Sequence, residues 1–212
     1  MHNLFLRFVT ASLLLPFFLF LLYANNISFY FLILSIFAIS FYEINFLFKK
    51  NIFYFLLLST LIILFLFALY ELRGNTDLDF YYLLWVMSVV WLSDTGGFLF
   101  GRMIKGPKLS KWSPNKTISG FFGSIILGQF AFLVLFYCLK NSVIFNFKFF
   151  VLQLLMTISS VVGDLFFSFI KRKNNIKDYS NIFPGHGGLL DRADGLIFVV
   201  IIAYLLKLIN VY

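Results

Sequence analysis

Charge is scarce in this 212-residue chain: Asp, Glu, Lys and Arg together make up 12% of it, where a soluble domain carries about 25%. That shortage excludes an ordinary water-facing surface, because 61% of the residues are hydrophobic and the mean hydropathy is +0.94. The apolar excess is too large to hide in a core of this size, so the solvent must be lipid. Cysteine is almost absent. Cys138 alone permits neither a disulfide within the chain nor a Cys-based metal cluster. The two histidines, His2 and His186, stand far apart and make a His-based zinc site a poor fit. No repeat of fixed period and no low-complexity linker divides the chain.

What is abundant is Phe, with 32 residues, expected to be lipid-facing bulk on membrane helices. A spanning helix needs about 20 mostly apolar residues. Seven segments qualify: 4–23, 27–48, 52–70, 80–100, 118–139, 149–170 and 193–212. Pro16 is a candidate kink in the first. That first run follows a single Arg7 and lacks a small-x-small cleavage pattern, so it reads as a retained helix. The expected fold is all-α, a polytopic membrane protein of about seven spans in one domain over 1–212. Residues 1–75 would be lipid-facing spans, and 80–212 would hold the catalytic helices and loops.

The +8 net charge suits nucleic acid or the retention of basic residues on one membrane side, and position decides between them. With seven spans, one side collects Arg7, Lys49, Lys50, Arg102, Lys105, Lys108, Lys111, Lys116, Lys171, Arg172, Lys173, Lys177 and Arg192. The other keeps Arg73, Lys140, Lys148 and Lys207, beside Glu71, Asp77 and Asp79. This is a positive-inside bias. It places the N-terminus and the polar connections 101–117 and 171–192 in the cytoplasm, where nucleoside triphosphates are found, and it excludes nucleic acid as the partner.

A charged side chain inside a span costs about 2.5–3.5 kcal/mol on insertion scales and is a functional candidate by default. Asp164 lies seven residues before Lys171, roughly 10 Å beneath the loop at 1.5 Å per residue. Asp94 lies eight before Arg102, at similar depth on another helix, and Asp191 opens the last span. Three carboxylates can thus converge under the basic face. Such a group suits Mg²⁺, which prefers one or two carboxylates plus phosphate oxygens and water. The alternative is that these acids pair with Lys or Arg to hold helices together. Between Lys171 and Asp194 the run Pro184-Gly185-His186-Gly187-Gly188 cannot be helix interior. It leaves backbone N–H groups at the entrance to the last helix, where anions are favoured.

The stretch 168–194 reads Ser168, Lys171-Arg172, four residues, Lys177-Asp178, Ser180, then Pro184-Gly185-His186-Gly187-Gly188, Asp191-Arg192 and Asp194. It closely resembles the signature of phosphatidate cytidylyltransferases, with Ala193 where a larger apolar residue or Thr is usual. A second block resembles the same family: Ser93-Asp94-Thr95-Gly96-Gly97, Phe100-Gly101-Arg102 and Ser113-Pro114-Asn115-Lys116-Thr117, then Gly120. Here Gly97 and Phe98 replace the usual Ala and Tyr. Lys116-Thr117 is not a P-loop end, since no Gly-x-x-x-x-Gly precedes it. The CDP-alcohol phosphotransferase pattern is also missing, since Asp194-Gly195 runs on into Leu196. The resemblance spans about 91–194, and the chain reads as short for the family at its N-terminus.

The resemblance implies CTP and phosphatidic acid as substrates, CDP-diacylglycerol and pyrophosphate as products, and a multi-pass protein of the cell (inner) membrane. It carries Mg²⁺ onto Asp164 and Asp191, with a second cation left open. Lys116, Lys171, Arg172, Lys177 and Arg192 would hold phosphates, with Gly187 and Gly188 at the turn, and Asp94 would support the site or orient a lysine. His186 is open between a phosphate hydrogen bond and a turn role. A homodimer is left open as well. Rival readings are a related CTP-dependent transferase acting on another lipid, and an ion-coupled transporter with intramembrane carboxylates. Against the transporter stand the absence of an internal repeat and acids gathered near one face.

Overall fold

The computed structural model describes residues 16–48, 51–140, 146–183 and 187–209. Within them the chain forms α1 (described over residues 16–23), α2 (Asn26–Phe48), α3 (Ile52–Arg73) and α4 (Asp77–Ile104). It continues as α5 (Ile118–Gly128), a 3₁₀ turn (Gln129–Ala131), α6 (Phe132–Cys138), α7 (Phe147–Lys173) and α8 (Leu190–Leu208). Among the described residues there is no strand, only two isolated bridges, Lys108–Thr117 and Phe183–Gly187. The all-α membrane architecture expected from the sequence is what forms.

Among the described residues five helical stretches are long and apolar enough to cross a bilayer: Asn26–Phe48, Ile52–Arg73, Asp77–Ile104, Ile118–Cys138 and Phe147–Lys173. The α8 helix packs with them over 19 residues but carries Asp191, Arg192, Asp194 and Lys207. Most of the expected span 4–23 lies outside the described residues, as do Arg7, Lys49 and Lys50, so the count of seven rests on sequence alone. Phe divides between two fates. Phe31, Phe46, Phe53, Phe67 and Phe147 point outward as expected of lipid-facing bulk, whereas Phe29, Phe48, Phe65 and Phe167 are buried between helices.

Helix ends follow local chemistry. Gly74, at φ 52°, ends α3, and Thr76 starts α4 with a reciprocal cap. Asp79 N–H donates to Thr76 Oγ1 at 3.1 Å, and Thr76 N–H donates to Asp79 Oδ2 at 3.3 Å. At that end Lys207 of α8 reaches Asp79 (3.3 Å) and the Glu71 carbonyl (3.0 Å). The opposite end of the bundle therefore receives the 105–117 and 174–189 connections together. Where α5 tightens into its 3₁₀ turn, buried Gln153 of α7 donates Nε2 to the Gly128 and Gln129 carbonyls at 3.2 and 3.1 Å. This supplies partners that lipid cannot.

Helices α4 and α5 meet backbone to backbone. A Cβ on Gly120 would fall 2.7 Å from the Gly97 carbonyl oxygen, and one on Gly123 would fall 2.6 Å from that of Gly96. Glycine at these positions lets the two backbones touch, and that contact fixes α4 against the loop leading into α5.

Candidate active site

The 105–117 connection folds back on itself. Leu109 N–H donates to Lys116 O (2.8 Å), Lys116 N–H to Ser113 O (3.1 Å) and Ile118 N–H to Pro107 O (3.0 Å). Thr117 then caps α5 through Gly120 N–H at 3.1 Å. The resulting turn aims Lys116 at α7, where its ammonium pairs with Asp164. Asp164 lies nine residues before the end of α7 and Asp94 ten before the end of α4, about 14 Å inside the helix ends. A cavity of about 270 Å³ opens here, lined by Asp94, Asn115, Lys116, Thr117, Gly120 and Asp164, with Phe98 and Phe121 among its apolar walls. Asp94 feels the charges of Asp164, Lys116 and Arg192. Asp194 of α8 comes within hydrogen-bonding reach of Asp164 and feels both Lys116 and Lys171.

The 174–189 connection is built otherwise. Asn174 ends α7, and Asn175 turns at φ 56°. Tyr179 is then buried against Phe48 and Phe167, with the Lys171 ammonium 5.5 Å above its ring. Burial pushes the Tyr179 hydroxyl well above its ordinary pKa, aided by the nearby Asp191, Asp194 and Glu43 charges. Asp191, whose side chain is 4% exposed, accepts from Lys171 Nζ (2.7 Å), Tyr179 N–H (2.7 Å) and Gly188 N–H (3.0 Å). Gly187, at φ 85°, exchanges backbone bonds with Phe183 at 2.9 and 3.1 Å.

Among the described residues, the helix entrance from Gly187 on is therefore not the open set of N–H groups that the glycine run suggests. Gly187 N–H is taken by Phe183, Gly188 N–H by Asp191, and the next two by a residue that sequence reasoning passed over. Glu43, on α2 and fully buried, accepts from Leu189 N–H (2.8 Å), Leu190 N–H (3.0 Å) and Ser180 Oγ (2.6 Å). A charge within an apolar span drew attention to Asp94 and Asp164, and the same signal was present at Glu43. Asp194, a position of the signature to which the sequence reading gave no role, feels charges from both acid–lysine pairs.

Of the expected site residues, Asp94, Lys116 and Asp164 share the cavity, while Lys171, Asp191, Gly187 and Gly188 form the adjoining network. Arg172, Lys177 and Arg192 are exposed at the same end. His186 lies outside the described residues. Among the described residues no three His, Cys, Asp or Glu side chains form a cage for a metal, but Mg²⁺ needs only one or two carboxylates when phosphates complete its shell. The donor set fits that use. Asp164 bonds Lys116 through Oδ2 alone, and the bonds to Asp191 fill three of its roughly four acceptor positions.

Fold and site together define a class: polytopic helical membrane proteins with acid–lysine pairs gathered at one end of the bundle. Within that class the chain belongs to the Cytidylyltransferase family, whose pattern matches residues 45–209. It is 41% identical over 126 residues to a phosphatidate cytidylyltransferase of Staphylococcus haemolyticus, covering 57% of this chain and 46% of that protein. The phosphatidate cytidylyltransferase of Aquifex aeolicus is 38% identical over 143 residues, 66% of this chain and 52% of the relative. The chain thus spans about half the length of the curated relatives it matches.

Proposed function

We propose that the protein transfers a cytidylyl group from CTP to phosphatidic acid at the plasma membrane, with the basic end of the bundle cytoplasmic. The observation that carries the reading is the cavity in which Lys116 meets Asp164 beside Asp94, in a chain similar to named phosphatidate cytidylyltransferases. In the reaction a phosphate oxygen of the lipid bonds to the α-phosphorus of CTP. The bond from that phosphorus to the bridging β-oxygen breaks, and pyrophosphate leaves with the electron pair. Two anions must meet, so the chain's task is positioning and charge neutralisation.

Lys116 would turn from Asp164 to a CTP phosphate, and Lys171, Arg172, Lys177 and Arg192 would hold the remaining phosphates. Asp94 would hold Lys116 in place, and Asp164 and Asp191 would carry Mg²⁺. Bound there, Mg²⁺ would neutralise charge on the triphosphate. Acids about 14 Å within the helix ends let a lipid headgroup approach sideways while CTP arrives from water. The test is purified protein with phosphatidic acid and each of the four nucleoside triphosphates. Pyrophosphate release with CTP, dependent on the lipid, is the expected result. Release that ignores the lipid, or none from folded protein, rejects the reading.

A further inference from the structure

We propose that Glu43 is a positioning residue that sets the first turn of α8, and with it Asp191, Arg192 and Asp194, from a helix far away in sequence. Glu43 lies just ahead of the span 45–209 that matches the family. Its two oxygens take three donors: Oε1 accepts from Ser180 Oγ and Leu189 N–H, and Oε2 from Leu190 N–H. Those two amides are free donors at a helix start, which otherwise need a cap or water, and Leu189 offers no side-chain cap. A carboxylate from α2 supplies the cap and places negative charge at the positive end of the α8 dipole.

The arrangement also explains Gly188. A Cβ there would fall 2.8 Å from Ser180 Oγ and closer still to the Glu43 carboxylate, so the glycine makes room for the acid. Ser180 belongs to the 174–189 connection and Leu190 to α8. Glu43 therefore clamps the connection to the helix it enters, one residue before Asp191.

Hydrogen–deuterium exchange and steady-state kinetics on the full chain in detergent test this together. In Glu43→Gln, amides of the 187–192 segment should exchange at least about tenfold faster than wild type, with α4 unchanged. The kinetic arm rests on the cytidylyltransferase reading. There kcat per folded molecule should fall about tenfold or more, with KM for CTP changed less than about threefold, and Glu43→Gln should retain more activity than Glu43→Ala. Wild-type exchange, or wild-type kcat per folded molecule, in Glu43→Gln overturns the proposal. Should Glu43→Gln not fold, Ser180→Ala removes one of the three bonds, and unchanged 187–192 exchange in it is equally fatal. A wild-type protein inert toward CTP would reject the reaction assigned above, and the exchange arm would still decide the role of Glu43.

Discussion

In the 105–117 connection Lys116 meets Asp164 at the edge of a cavity, whereas beside the 174–189 connection Lys171, from the last turn of α7, meets Asp191 inside a closed network. Asp164 pairs with Lys116 through one oxygen, and Asn115, Thr117 and Gly120 stand around it with room for a ligand. Asp191 holds two backbone N–H groups and a lysine, and the N–H groups beside it go to Glu43. The difference separates two tasks that similar residues can perform. On the proposed reading the open wall receives phosphate, and the closed wall holds Lys171 and Asp191 in place for the same ligands by satisfying most of their partners.

Substitutions can break that comparison or sharpen it. The largest effect is expected at the open wall: Asp164→Asn should lower incorporation of labelled CTP into lipid by roughly a hundredfold to a thousandfold, with the folded yield on size exclusion unchanged. In the closed wall, Asp191→Asn should lower incorporation no further than Asp164→Asn does, but with lost stability. It leaves Lys171, a half-buried cation, short of its partner, at a cost of about 3 kcal/mol readable by denaturant unfolding in mixed micelles. Near-wild-type stability in Asp191→Asn would erase the distinction between the walls. Gly123→Val should force α4 from α5 and cost about 1–3 kcal/mol, seen as a lower Tm in detergent. Lys111→Ala should do least. Lys111 is exposed and outside the cavity lining, so activity should change less than about twofold.

Much of this was legible in the residues. Apolar run length gave the helices, because lipid demands that each spanning segment satisfy its own backbone. The cost of a charge in a span singled out Asp94 and Asp164, and the cavity contains both. Two things were not legible. The glycine run at 187–188 reads as open N–H groups because sequence shows donors but not who accepts from them, and the acceptor Glu43 lies well over a hundred residues away. Phe48 and Phe167 read as lipid-facing bulk because composition does not tell a lipid-facing ring from one packed on Tyr179.

On the proposed reading the nucleotide's phosphates sit in the cavity at Lys116 and Asp164. Equilibrium binding of CTP with Mg²⁺ to wild type, Lys116→Ala and Lys111→Ala tests it most directly. Lys116→Ala should weaken binding about tenfold or more, the loss of one charge-assisted contact, while Lys111→Ala should bind as wild type does. Equal affinity in all three would contradict it.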